Sequence, residues 1–142
     1  MKPLSQILKN KTNQLINIHP EATVYDALNK MMEHNISAIL ILKDNQLKGI
    51  FTERDYARKI VLQGKSSKEI KLEEVMTANL ITVRPDDSVD SCMEIMTEKH
   101  IRHLPVVNNN ELVGMISIGD LVKFVIEDQK QTIENLESYI RS

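Results

Sequence analysis

"GIFTERD", residues 49–55, and "GMISIGD", residues 114–120, decide how this chain is read. Each runs glycine, two apolar residues, a hydroxyl residue, and an acid three positions after the hydroxyl. They lie 65 positions apart, and the same offset maps Leu15 through Asp55 onto a later stretch without a gap. Leu15 and Ile16 recur as Leu80 and Ile81, Pro20 as Pro85, Val24 as Val89 and Met31 as Met96. Glu33 recurs as Glu98, Ile36 as Ile101, and Leu47, Gly49 and Asp55 as Leu112, Gly114 and Asp120. Elsewhere character is kept, as in Ile18/Val83, Ile41/Val106, Leu42/Val107 and Thr52/Ser117. A register held over this length is an internal duplication.

Each copy predicts the same elements. "LINI" and "LITV" read as short strands ended by "HP" and "RP", because proline cannot continue a ladder. Helices follow over about 24–34 and 88–99, the first with an apolar stripe of Val24, Ala27, Leu28, Met31 and Met32. Thr23 and Asp26 form a capping-box signature, and Asp87 or Ser88 can cap the second helix. "SAILIL" and "HLPVV" are strands that "KDNQ" and "NNNE" turn into "LKGIFT" and "LVGMIS". A helix follows each, "ERDYARKIVLQ" stopped by Gly64 and a longer one from about 119. A short helix precedes each copy, Leu4, Ile7 and Leu8 answering Leu72, Val75 and Met76, and "GKSSKE" links the copies. The runs "AILIL" and "LPVV" lack polar alternation, so both sheet faces are expected to be covered. Two copies packed sheet to sheet about a pseudo-twofold axis would do so, with a pair of equivalent clefts at the junction.

Composition narrows the chemistry. At 142 residues the chain is the size of one domain, and its net charge of −2 makes no electrostatic case for nucleic acid or an anionic membrane. The single Cys92 excludes an internal disulfide and suits a reducing compartment. The start, "MKPLSQILKNK", has no apolar run of signal-peptide length, and no segment approaches a membrane span. The expectation is a cytoplasmic protein.

The repeated heptapeptide has a plain reading: Thr52 with Asp55, and Ser117 with Asp120, cap the helices that follow. That leaves the glycine three residues earlier unexplained. A glycine there marks a bulge, or a place where something approaches the backbone closely. The functional reading uses the same geometry. An ionised Asp at a helix start can accept two hydrogen bonds from vicinal hydroxyls such as those of a ribose, with the Ser or Thr hydroxyl assisting. Hydrogen bonds to a charged group contribute about 1.5–3 kcal/mol each.

Two copies of strand–helix–strand–strand–helix, each closing on Gly-apolar-apolar-Ser/Thr-x-x-Asp, resemble a tandem pair of cystathionine-β-synthase (CBS) domains, the Bateman module. "HIRHLPVV", 100–107, resembles the phrase that precedes the second and third strands in many members, "EEVMTANLITVRPDDSV", 73–89, resembles the typical opening of the second copy, and the likeness covers nearly the whole chain. It implies an α/β fold of two pseudo-twofold-related β-α-β-β-α repeats, residues 1–64 and 65–142, the second carrying an extended C-terminal helix. It also implies a regulatory module, not an enzyme, that binds an adenine nucleotide and requires no cofactor. AMP is the first choice of ligand, then ADP, ATP, NAD(H) or S-adenosylmethionine. In such modules the clefts are shared between copies. One site would take Thr52 and Asp55 for the ribose, with Met76, Thr77, Ala78, Ile101, Arg102 and His103 as its other walls. The other would take Ser117 and Asp120, with Lys11, Thr12, Asn13, Ile36, Ser37 and Ala38. Arg102, His103 and Arg54 would favour phosphate at the Asp55 site; their counterparts Ser37, Ala38 and Gly119 carry no charge.

Other residues read as structure. His100 and His103 stand on opposite faces at a strand's entrance, with no further cluster to complete a metal site. Cys92 replaces Ala27 on a core face and reads as a small buried residue. No catalytic constellation stands out. In the tail, Val122, Ile126, Gln129, Ile133, Leu136 and Ile140 alternate spacings of four and three, a coiled-coil seam. It is expected to pack on its own module or to fasten a homodimer. With no effector domain in these residues, the output would pass to a client protein. The alternative is a dimeric interaction or scaffold protein with vestigial clefts.

Overall fold

A computed structural model of the chain describes residues 2–10 and 15–141. The elements run α1 (Ser5–Asn10), β1 (Asn17–Ile18), α2 (Val24–His34), β2 (Ala38–Lys43), β3 (Gln46–Thr52) and α3 (Glu53–Asp55). A wide π-helical stretch, Tyr56–Val61, continues α3. Then come α4 (Leu72–Val75), α5 (Val89–Lys99), β4 (His103–Asn108), β5 (Glu111–Ser117) and α6 (Ile118–Arg141). The fold is mixed α/β, with two repeats and a long C-terminal helix.

The chain forms two compact units. One comprises Asn13–Ile81 with Asn109–Leu112; the other comprises Met1–Thr12, Thr82–Asn108 and Val113–Ser142. Each unit therefore joins one repeat to the lead helix that precedes the other repeat in sequence. In the first, β1 runs parallel to β2 and β2 antiparallel to β3. Its core is Val24, Ala27, Met31, Ile39, Ile41, Phe51 and Ile60, closed by Leu72 and Val75 of α4. In the second, Val89, Cys92, Met96, Leu104, Val106 and Ile116 occupy the matching positions, and Leu4, just before α1, and Ile7 of α1 stand where α4 stands in the first. Backbone pairing repeats the exchange. Lys71 bridges to Thr23, and Pro3 bridges to Ser88, the counterpart of Thr23.

Local chemistry sets the boundaries. Thr23 and Asp26 make the capping box of α2, and Ser88 caps α5 by accepting from the Ser91 N–H at 3.1 Å. Asp87 instead accepts from the Arg84 N–H at 2.8 Å. Asn35 and His100 end these helices in the left-handed region, at φ 53° and 54°. Both hairpins turn on two residues of positive φ, Asp44–Asn45 and Asn109–Asn110, the type I′ geometry that suits strand twist. Residues 38–41 of β2 are all buried, as the unbroken apolar run predicts.

Three expectations are corrected. "LITV" does not form a strand like β1; only Val83 bridges, to Val106. The residue facing Asn17 in the first repeat is Leu40, and its counterpart Pro105 has no N–H to extend the ladder. Met32 is 83% exposed and off the stripe of α2. At 100° per residue it stands about 80° round from Val24, past the edge of the buried arc. The helix after β3 widens into π geometry after its first turn.

Candidate functional site

Both copies build the same corner where the third strand turns into a helix. The Thr52 N–H donates to Asp55 Oδ2 at 3.0 Å, and the Asp55 N–H donates to Thr52 Oγ1 at 3.1 Å. The Ser117 N–H donates to Asp120 Oδ2 at 2.9 Å, and the Asp120 N–H donates to Ser117 Oγ at 3.1 Å. The Glu53 N–H donates to the Ser37 carbonyl at 3.0 Å, and the counterpart Ile118 N–H to the Arg102 carbonyl at 2.8 Å. Residues 37 and 102 thus sit beside the capped helix start of their own unit. The plain reading of the motif holds in both copies: hydroxyl and acid cap a helix.

The cap uses Oδ2 of Asp55, and the other carboxylate oxygen leaves the helix. Thr77 Oγ1 donates to Asp55 Oδ1 at 3.4 Å, and Lys59 Nζ lies 3.3 Å from the same oxygen. Lys59 also donates to the Val75 carbonyl at 2.7 Å and stands 3.5 Å from Thr77 Oγ1. Thr77 is pinned by a two-way backbone bridge to Ile50, with N–H to carbonyl distances of 3.0 Å in each direction. The approach explains the leading glycine. A Cβ on Gly49 would lie 2.7 Å from Met76 Sδ and 2.9 Å from the Thr77 carbonyl oxygen. Gly49 also flanks a bulge, where the register between β2 and β3 shifts between Ile41 and Leu42. In the other copy a Cβ on Gly114 would meet Leu8 Cδ2 at 2.6 Å.

Of the sequence-derived site residues, the unit of the first repeat brings together Thr52, Asp55, Met76 and Thr77, with Ser37 at the same helix start. Ile36, Ala38, Arg54 and Ala78 belong to that unit too, Ala38 buried and Arg54 exposed. Ile101, Arg102, His103, Ser117 and Asp120 belong to the other unit, Arg102 exposed and His103 half-buried. Lys11, Thr12 and Asn13 lie outside the described residues. Lys59 is the residue that the sequence reading missed. Its signal was position, one turn beyond Asp55, where the second copy has Phe124.

Cys92 is the small, fully buried residue that its place in the repeat implies. Burial, with the Asp87 charge adding to it, pushes its thiol up to about 11 against a partly offsetting bond from Ser91. Among the described residues no group of three or more His, Cys, Asp or Glu could hold a metal ion. No described helix is long and apolar enough to cross a membrane. On α6 only Leu121 is buried; Val122, Ile126, Ile133, Leu136 and Ile140 are exposed by 46% to 80%, so most of the seam's surface is left open by the described residues.

The profile of the CBS domain matches residues 5–62 and 72–127. The mitochondrial CBS domain-containing protein CBSX3 of Arabidopsis thaliana is 44% identical over 124 residues, covering 84% of this chain. The chain spans 60% of that relative's length. Among solved structures, a protein with CBS domains from Burkholderia ambifaria MC40-6, described as a candidate for signal transduction, is 48% identical with a TM-score of 0.87. That match covers 90% of this chain and 96% of the other. The CBS domain pair of the protein MJ0100, solved with 5′-methylthioadenosine and S-adenosyl-L-methionine, is 28% identical with a TM-score of 0.79, covering 90% of this chain and 98% of the other.

Proposed function

The chain belongs to the CBS-domain family and carries two copies of the domain, and from that premise we propose that it is a regulatory module that binds an adenosine-containing ligand. The observation that carries this reading is the divided Asp55 carboxylate. Oδ2 is committed to the helix, while Oδ1 faces Thr77, a residue from outside the repeat. That oxygen is suited to the vicinal hydroxyls of a ribose. The adenosine ligands of the MJ0100 domain pair support the class. AMP is the form proposed first, with ATP and NAD as alternatives. Asp120 with Ser117 is proposed as the second sugar-binding acid, and Arg54, Arg102 and His103 as the cations that favour phosphate. The signal passes to a client protein, and the reading includes no catalytic step.

Calorimetry with adenosine, AMP, ATP, NAD and S-adenosylmethionine tests this. Saturable binding is expected, and Asp55→Ala should weaken it about ten- to a hundredfold. No binding to the wild-type protein across the panel would overturn the reading. A second reading, a dimeric interaction protein, draws on the exposed α6 seam. It is favoured if that panel is silent while the protein is still a dimer by light scattering.

A further inference from the structure

Asp55 accepts at every position a carboxylate offers. Oδ2 takes the Thr52 N–H at 3.0 Å and the Thr52 hydroxyl at 3.1 Å; Oδ1 takes Lys59 Nζ at 3.3 Å and the Thr77 hydroxyl at 3.4 Å. A carboxylate has about four lone-pair sites. A ribose diol bringing two donors must therefore displace two of those already present. The Oδ2 pair is the helix cap, and losing it would cost the helix about 1 kcal/mol. The Oδ1 pair is longer, at the outer limit of useful geometry. The sugar therefore enters at Oδ1. Lys59 does not need Asp55 to stay in place, because its short bond to the Val75 carbonyl, 2.7 Å, anchors the ammonium separately. Displacement leaves the ammonium held by Val75 beside the bound sugar, with the hydrogen bond it gave to Oδ1 no longer made.

We propose that Lys59 is the internal partner that a ligand's sugar displaces from Asp55, and that the ammonium so exposed makes this site select phosphorylated over unphosphorylated adenosine. The inference rests on reading Asp55 as the ribose-binding acid and adds the origin of its selectivity. An unphosphorylated nucleoside must compete with Lys59 and returns no charge. A phosphate gives the released ammonium donor a charged acceptor. The counterpart of Lys59 in the second copy is Phe124, which supplies no cation, so the selectivity belongs to the Asp55 site.

The test is an NMR titration of the full chain with adenosine and with AMP, followed at the amides of Thr52 and Thr77 so that the Asp55 site reports alone. Wild type, Lys59→Met, Lys59→Gln and Lys59→Arg are compared. In the Met and Gln variants adenosine should bind roughly two- to fivefold tighter, the scale of one partly exposed ion pair. AMP should weaken, so that the AMP-to-adenosine preference shrinks roughly tenfold. Lys59→Arg keeps the charge and should keep most of the preference. Gln retains a donor for the Val75 carbonyl, so it reports even if the Met variant folds poorly. A preference unchanged in the charge-free variants, with both ligands still binding, overturns the role of Lys59 and leaves Asp55 as the ribose acid. Wild-type protein that binds neither ligand, or Asp55→Ala that binds both as before, removes the parent reading and this one with it.

Discussion

Adding one methyl group at each repeated glycine should have unequal effects. At Gly49 a new Cβ would stand 2.7 Å from Met76 Sδ and 2.9 Å from the Thr77 carbonyl oxygen. The sulfur belongs to a flexible side chain and can move. The carbonyl cannot move alone, because Thr77 is bridged in both directions to Ile50 at 3.0 Å. At Gly114 the obstacle is a single methyl, Leu8 Cδ2 at 2.6 Å, with the next atom 3.9 Å away. A leucine rotamer can absorb that. Overpacking of the first kind costs about 1–3 kcal/mol. Alanine returns about 0.4–1 kcal/mol at each site by restricting the unfolded chain. Gly49→Ala should therefore destabilise by about 1–2 kcal/mol, and Gly114→Ala by less than about 1 kcal/mol. In a thermal melt of a chain this size the difference amounts to roughly 2–4 °C per kcal/mol. Urea denaturation followed by circular dichroism supplies the free energies. Pairing Gly49→Ala with Met76→Ala should not restore the loss, since the carbonyl contact is untouched. Equal effects at the two glycines, or a larger effect at Gly114, would refute the assignment of the backbone carbonyl as the hard wall.

Three further outcomes follow from the packing. Leu4→Ala should cost about 2–5 kcal/mol and raise hydrogen exchange in β4 and β5, although Leu4 precedes the first repeat; a rise confined to β2 and β3 would contradict the exchanged lead helices. Cys92 should resist iodoacetamide at pH 8 until the protein is unfolded. Because its folded pKa of about 11 lies above the ordinary value of 9.0, the folded state keeps a proton that the unfolded state loses, so stability should fall as pH rises between those values; a flat pH profile in that window would speak against its burial. If α6 fastens a dimer, as the second reading has it, Ile133→Asp with Leu136→Asp on its exposed face should lower the mass measured by light scattering without moving the melt of a monomer; an unchanged mass would dissociate the seam from self-association.

What the sequence disclosed were features whose physics is local. The duplication is a matter of spelling. The turns at Asp44–Asn45 and Asn109–Asn110 follow from residues that tolerate positive φ, and Thr23–Asp26 is a cap set by two side chains three apart. The burial of residues 38–41 follows from an apolar run without alternation. The exchange of α1 and α4 was not legible, because an apolar stripe says that a helix buries a face and not against which repeat. The offset held a trace of it: the lead helices correspond at 68 residues and the strands at 65. The truncated "LITV" strand was written in Pro105, but its effect depends on knowing which residue that proline faces. Lys59 escaped because a lysine one turn after an aspartate reads as an ordinary surface pair. Only the placement of Val75 and Thr77 gives that lysine a second partner.

That last point separates a cap from a site. Both copies spend Oδ2 of the acid on the helix start, and both would do so if the protein bound nothing. Asp55 gains a second environment because a segment from beyond its own repeat lies against β3. The segment can lie there because residue 49 has no side chain and its strand is bulged. The glycine and the acid of the heptapeptide are therefore coupled through Thr77: one admits it, and the other receives its hydroxyl. A substitution that pushes Thr77 away should disturb the Oδ1 side of the Asp55 carboxylate while sparing the cap. Gly49→Ala is such a substitution: by withdrawing one of the two donors that the sugar must displace from Oδ1, it should tighten adenosine binding even as it lowers stability. A Gly49→Ala protein that melts lower yet binds as tightly as wild type would show that Thr77 contributes packing and nothing to the site.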